Sequence, residues 1–302
     1  MIDTIIKYIK SKSIHTPRLA IVRFLLALGV SLTLLSNDLD VIANHKYVKL
    51  HGYSIRHDPR RKMPLDQFNM FLMMDPEKAK VVILVILAAV ATGLVPQVTG
   101  VLHFWAEFSL HNYMIIYNGG DDLAYILSMF LLPVCLTDPR LNTWRRKEIG
   151  PSQRNIVSNI CLLFIWIQAM AMYTDASIAK MFKPQWQNGT AVYYYTSHYR
   201  LGAVDWLKSI EETFTLTPVV GFFTWFVLAF ELVLVAAVFY SSKWKRRLII
   251  PAMIFHFLFL INFGLITFYI SILALLMLYL DDDEYCVKLL NWFRGKLRLK
   301  PL

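Results

Sequence analysis

Residues 248–280 contain no Asp, Glu, Lys or Arg. A bilayer core needs only about 20 apolar residues per helix, so an uncharged run of this length excludes an ordinary water-soluble domain. Charge is scarce throughout: 17% of the chain is charged and 57% hydrophobic, against about 25% charged in soluble domains. No long polar stretch interrupts the 302 residues, which points to one membrane domain without a separate soluble one. Cysteine is also rare. Three cannot form a disulfide framework, and Cys135, Cys161 and Cys286 read as packed thiols. No phosphate-cradling loop, Walker-type motif or nucleophile elbow is present, and proteolysis lacks both a nucleophile–base pair and a metal motif.

The fold class expected is all-α: a polytopic helical bundle of about eight transmembrane helices with both termini cytoplasmic. Apolar spans cover residues 19–35, 81–95, 123–136, 156–173 and 219–240, and the final run is long enough for two passes broken near Asn262, Phe263 and Gly264. The net charge of +10 is gathered in short clusters beside these spans, which fits orientation at an anionic membrane surface and not nucleic-acid binding. Placing the basic connectors (Arg140, Arg145, Arg146, Lys147 and Arg154, then residues 243–247) inside requires a further crossing at 98–117. Residues 1–18 read as an interfacial amphipathic helix, 19–280 as the transmembrane domain and 281–302 as a basic amphipathic cytoplasmic tail. The first span resembles a signal sequence but lacks a small-x-small cleavage site, so it is expected to stay as the first helix.

Ionisable groups inside the membrane are costly and head the candidate list. Arg23 is expected to pair with a glutamate and fix helix packing. Glu231 lies midway along a late span. His103, Glu107 and His111 fall on one helix face at four-residue spacing, which suits a polar packing stripe better than a metal site; no metal is expected. Gly119 and Gly120 permit a sharp turn before a helix. Asp121 and Asp122 beside them can cap its free N–H groups, with room for a ligand contact. Asn188, Gly189 and Thr190 read as a turn. Lys180 ends an apolar span. An amine partly withdrawn from water can act as a base, although a lysine there also commonly snorkels to headgroups.

Several strings together carry a family resemblance. Leu25-Leu-Ala-Leu-Gly29, Leu32-Thr-Leu-Leu35, Val98-Thr-Gly-Val-Leu-His-Phe-Trp105, Gly119-Gly-Asp121, Leu136-Thr-Asp-Pro-Arg140 and Trp186-Gln-Asn-Gly-Thr-Ala-Val-Tyr-Tyr194 occur in order, within a match that runs from about Arg18 to Leu280. They resemble the sporulation-delaying-protein B (SdpB) family, within the wider HTTM membrane domain that is similar to the transmembrane part of vitamin K-dependent gamma-carboxylase. Lys180, Trp186 and Gly189 resemble that enzyme's lysine–Trp–Gly pattern, Phe255-His256 with Gly264 resembles another of its segments, and Glu231 sits where the group carries an acid.

The resemblance implies participation in maturing a secreted antimicrobial peptide in a bacterial inner membrane, together with a small SdpA-like partner and the peptide precursor. If the protein is catalytic, Lys180 is the expected base, with His256 and Glu231 or Glu107 as inward-facing polar partners. Asp121, Asp122, Trp186, Gly189 and Tyr194 are expected at the substrate, and Arg23, Gly119, Gly120 and Gly264 in structural roles. The aromatic outer loop that holds Trp186 and Tyr194 serves either as a docking surface or as an interfacial belt. Two other classes of function stand beside this one: a quinone-dependent membrane enzyme closer to carboxylase chemistry, and a non-enzymatic toxin-export or immunity protein. An apolar, quinone-sized pocket beside Lys180 and His256 would favour the enzyme.

Overall fold

The computed structural model describes residues 13–43, 66–116, 118–147, 150–198, 202–203 and 205–280, with scattered positions from 283 to 296. The expected interfacial helix (1–18) lies mostly outside these residues, and so does most of the basic tail (281–302). The described residues are helical and contain no strand. The longer helices are α1 (Pro17–Ser36), α2 (Pro76–Ala91), α3 (Pro96–Tyr113), α4 (Gly119–Thr137), α5 (Gln153–Met181), α6 (Asp205–Thr215), α7 (Val219–Ala236, continued by a 3-10 turn at Ala237–Phe239), α8 (Ser242–Phe263) and α9 (Ile266–Tyr279).

Five of these, α1, α4, α5, α7 with its 3-10 turn and α8, are long and apolar enough to cross a membrane. Helices α2, α3 and α9 have 16, 18 and 14 residues. They pack against members of the five but do not meet the length and hydropathy of a lone span, so five candidate spans stand among the described residues against the eight expected from the sequence. Large apolar side chains such as Phe222, Trp225, Phe226, Ile254 and Leu258 face outward. An apolar exterior this broad belongs against lipid.

Helix α9 is the centre of the bundle. It packs against α1, α4, α5 and α8, and Ser271, Ile272 and every residue from Ala274 to Tyr279 is buried. The uncharged run therefore divides unequally: α8 begins upstream at Ser242, and α9 is a short inner helix. The break falls where expected. Gly264 closes α8 in the left-handed region (φ +66), a conformation that costs a residue with Cβ, and its N–H donates to the Leu260 carbonyl at 2.8 Å.

Local sequence sets the other ends. Asp75 caps α2 by accepting from the N–H groups of Glu77 and Lys78, and Pro76 takes the first helical position. Helix α4 opens with a reciprocal capping box: Asn118 Oδ1 accepts from Gly120 N–H at 2.7 Å, and Asp121 Oδ2 accepts from Asn118 N–H at 2.9 Å. Asn118 Nδ2 also donates to Thr267 Oγ1 at 2.8 Å, which ties the start of α4 to the start of α9.

The loop after α4 changes the meaning of one basic residue. Arg140 was counted among the charges that orient the protein, yet its side chain is buried against Asp138, with Nη2 to Oδ2 at 2.6 Å, and Nη1 donates to the Thr143 carbonyl. The Leu136-Thr-Asp-Pro-Arg140 string thus folds a loop that covers the α2–α3 turn, where Thr143 N–H and Trp144 Nε1 donate to the carbonyls of Gly93 and Ala91. At the same end of the bundle, Arg18 Nε lies 2.9 Å from Asp283 Oδ1 and Thr16 Oγ1 donates to the same oxygen, so the start of α1 and the chain just beyond α9 share one face.

Gly120 explains the second glycine of the turn. A Cβ there would lie 2.4 Å from the Phe268 Cα, whereas one at Gly119 would meet only ordinary contacts at 3.5 Å. Gly120→Ala is expected to lose about 1–3 kcal/mol through displacement of α9 from α4. Gly119→Ala should be nearly neutral, and thermal unfolding in detergent compares the two.

Candidate functional site

Three of the four expected catalytic residues, Lys180, Glu231 and His256, meet at a cavity of about 340 Å3 between α4, α5, α7, α8 and α9. Lys180 enters from the last turn of α5, Glu231 from α7 and His256 from α8. Tyr173, Met172, Phe255, Phe259, Phe268 and Ile272 make much of the wall, with Gly119 and Asp122 at the start of α4.

Lys180 Nζ donates to both oxygens of Glu231, at 2.6 and 2.9 Å. Ser177, one turn earlier on α5, gives Glu231 Oε2 a further hydrogen bond at 3.2 Å. An ion pair among apolar helices needs this degree of matching, because each charge left without its counterpart carries a large desolvation cost. The lysine is therefore held by a carboxylate and does not reach freely toward headgroups. Its ammonium also lies 5.6 Å from the centre of the Trp186 ring.

His256 is buried, and its Nδ1 lies 2.8 Å from the Ala252 carbonyl. A carbonyl only accepts, so Nδ1 carries the hydrogen, and in the neutral ring Nε2 keeps its lone pair. Tyr173 OH lies 3.3 Å from that Nε2. The cavity thus combines a fixed cation–carboxylate pair with an imidazole nitrogen directed at a phenol. Tyr173 and Ser177 escaped notice in the sequence, although Tyr173, Ser177 and Lys180 recur at helical spacing along α5, the signal that would have found them.

The other expected residues divide into three groups. Gly119 and Asp122 line the cavity, whereas Asp121 faces α1 and accepts from Thr33 Oγ1 at 3.1 Å while capping α4. Trp186 is buried beside Lys180, and its carbonyl accepts from Trp225 Nε1 at 3.2 Å. Gly189 makes the turn (φ +78) with Asn188 and Thr190 and packs on Gly221, while Tyr194 lies exposed next to Tyr193. Glu107 does not belong to the cavity: it lies on α3 with its side chain 3.3 Å from His103. Of the two acids, Glu231 is the one that pairs with Lys180. Arg23 donates to Thr99 Oγ1 at 2.8 Å, and among the described residues it forms no ion pair with a glutamate.

Two proteins of one bacterium are similar in sequence to this multi-helix bundle. The chain is 26% identical over 209 residues to the sporulation-delaying protein SdpB of Bacillus subtilis (strain 168), a match covering 68% of this chain and 64% of that one. It is 32% identical over 268 residues, 86% of each chain, to the uncharacterized protein YitO of the same organism, and it belongs to the family of that protein. No family model matches the chain, and no solved structure matches it.

Removing one member of the ion pair leaves a buried charge unmatched, which costs about 3–5 kcal/mol. Lys180→Met and Glu231→Gln are each expected to lower thermal stability in detergent, and the double variant should recover much of the loss. Strictly additive losses would show that the two groups are not coupled.

Proposed function

We propose that this protein takes part in the maturation of a secreted antimicrobial peptide of the sporulation-delaying type, with a small SdpA-like protein as partner, in a bacterial cytoplasmic membrane. Its relation to SdpB supports the system. The observation that carries a chemical role is the meeting of Lys180, Glu231, His256 and Tyr173 at one cavity. In this reading the chain crosses the membrane eight times as an HTTM-like domain with both ends inside. The shared face of Arg18 and Asp283 supports an even number of crossings. The cavity then opens in the outer half, where Gly119 starts α4 and Gly264 ends α8.

The geometry redistributes the catalytic roles. An ammonium that gives its hydrogens to two carboxylate oxygens is not a free base, so Lys180 acts as a fixed positive charge that steadies developing negative charge on the substrate. His256 Nε2 serves as the general base, with Tyr173 relaying the proton and Glu231 keeping the lysine in place. Asp122, Trp186, Gly189 and Tyr194 lie toward the side from which a peptide would approach, with Asp121 holding the start of α4 beneath them.

The cavity also favours a second reading. Its volume is at the lower end of small-molecule pockets and its walls are largely aromatic and aliphatic, which suits a quinone ring better than a peptide backbone. A quinone recovered in stoichiometric amount with the purified protein would favour that cofactor.

Co-expression with the neighbouring genes, followed by mass measurement of the secreted peptide, tests the main reading. His256→Ala is expected to reduce processed peptide by about 10²-fold or more at unchanged membrane levels, as loss of a general base does. Lys180→Ala should also abolish processing. Unchanged peptide in both variants would leave an export or immunity role in which these groups only join helices.

A further inference from the structure

A second polar cluster lies away from the ion pair, between α1, α3 and α4. Thr99, His103, Glu107 and His111 follow one another at four-residue spacing on α3 and so share a face. Below them, Arg23 uses only Nη2, toward Thr99; its Nε and Nη1 are buried without hydrogen-bond partners. His103 Nε2 and Glu107 Oε1 lie 3.3 Å apart, both side chains 3% exposed, and neither atom has an aligned hydrogen bond. Above them is Asp121, whose charge acts on Glu107 and whose two oxygens accept from Thr33 Oγ1 and Asn118 N–H. Electrostatically, Arg23 of α1 acts on His103 and Asp121 of α4 acts on Glu107, and the Tyr125 ring of α4 stacks on His111 at 4.4 Å.

Charge counting inside hydrocarbon limits what this cluster holds. A carboxylate there without a cation beside it is costly, and among the described residues neither Asp121 nor Glu107 forms an ion pair with a lysine or arginine. Asp121 is the better-supplied anion, since it sits in the first turn of α4 and receives two hydrogen bonds. A proton is then left for the contact between Glu107 and His103. One turn further along α3, His111 Nδ1 lies 3.2 Å from Asp122 Oδ1, and Asp122 lines the cavity that contains His256.

We propose that Glu107 and His103 form a buried proton-holding site, with His111 and Asp122 as its exit to the cavity. On loading, the Asp122 carboxylate takes a proton from the cavity. His111 accepts it at Nδ1 and releases another from Nε2 toward Glu107. Unloading runs the same transfers in reverse, and no electrons move. The use of that proton in turnover rests on the reading of the cavity given above; the proton site does not depend on it.

Infrared spectroscopy of the purified protein in detergent tests both parts. The wild type is expected to show the carbonyl stretch of a buried protonated carboxyl group at neutral pH, and Glu107→Gln should lose it. Glu107→Asp should shift it, which keeps the test decisive if the glutamine variant does not accumulate. A spectrum without that band, or a band untouched by either substitution, would overturn the site. In heavy water the band moves as the proton exchanges, and Asp122→Asn should slow that movement by about tenfold or more. Exchange at the wild-type rate in Asp122→Asn would overturn the exit. No peptide is present in these spectra, so a failure of the processing reading at His256 leaves them unaffected.

Discussion

Inside hydrocarbon a polar side chain has no water to fall back on, and each such group in this protein has to be answered by another part of the same chain. The pairing of Lys180 with Glu231 is the clearest answer. It joins the end of α5 to the middle of α7, and α7 otherwise shows most of its apolar surface to lipid. Ser177 completes the carboxylate, Trp186 covers the ammonium, and the carbonyl of Trp186 receives the Trp225 indole. One electrostatic match thereby organises the loop after α5 as well as the helices.

The two polar clusters are built on different terms. Around Glu231 the charges are equal and hydrogen bonds saturate the acid, which makes a rigid element. Around Glu107 the donors and acceptors are mismatched, with two guanidinium nitrogens and the His103–Glu107 contact left unaligned. Helix α4 stands between them, presenting Asp121 to one and Asp122 to the other. Adjacent residues on a helix point about 100° apart, so two neighbouring acids can serve two separate chambers.

Most of the architecture was legible because membrane helices announce themselves by length and by the absence of charge. The run at 248–280 and its break at Gly264 are cases where composition and a single left-handed position carry the information. Short helices were harder: α9 is too brief for a lone span, and its central place follows from packing that periodicity does not report. Lys180, Glu231 and His256 could be singled out as costly residues, but which acid meets the lysine depends on the relative shift of α5, α7 and α3. That shift has no local signature. Arg140 was misread for a related reason, since a basic residue in a connector looks the same in sequence whether it faces headgroups or a buried aspartate two residues away.

The position of α9 also bears on how the protein is made. It follows the other long helices in the chain, yet it supplies the surface on which α1, α4, α5 and α8 converge. During synthesis the earlier helices enter the bilayer before their common partner exists, with Asn118 and the bare backbone at Gly120 still waiting for Thr267 and Phe268. The clasp of Arg18 and Thr16 on Asp283 can close only once α9 is in place. The four helices therefore share a surface that is supplied only when α9 is in place.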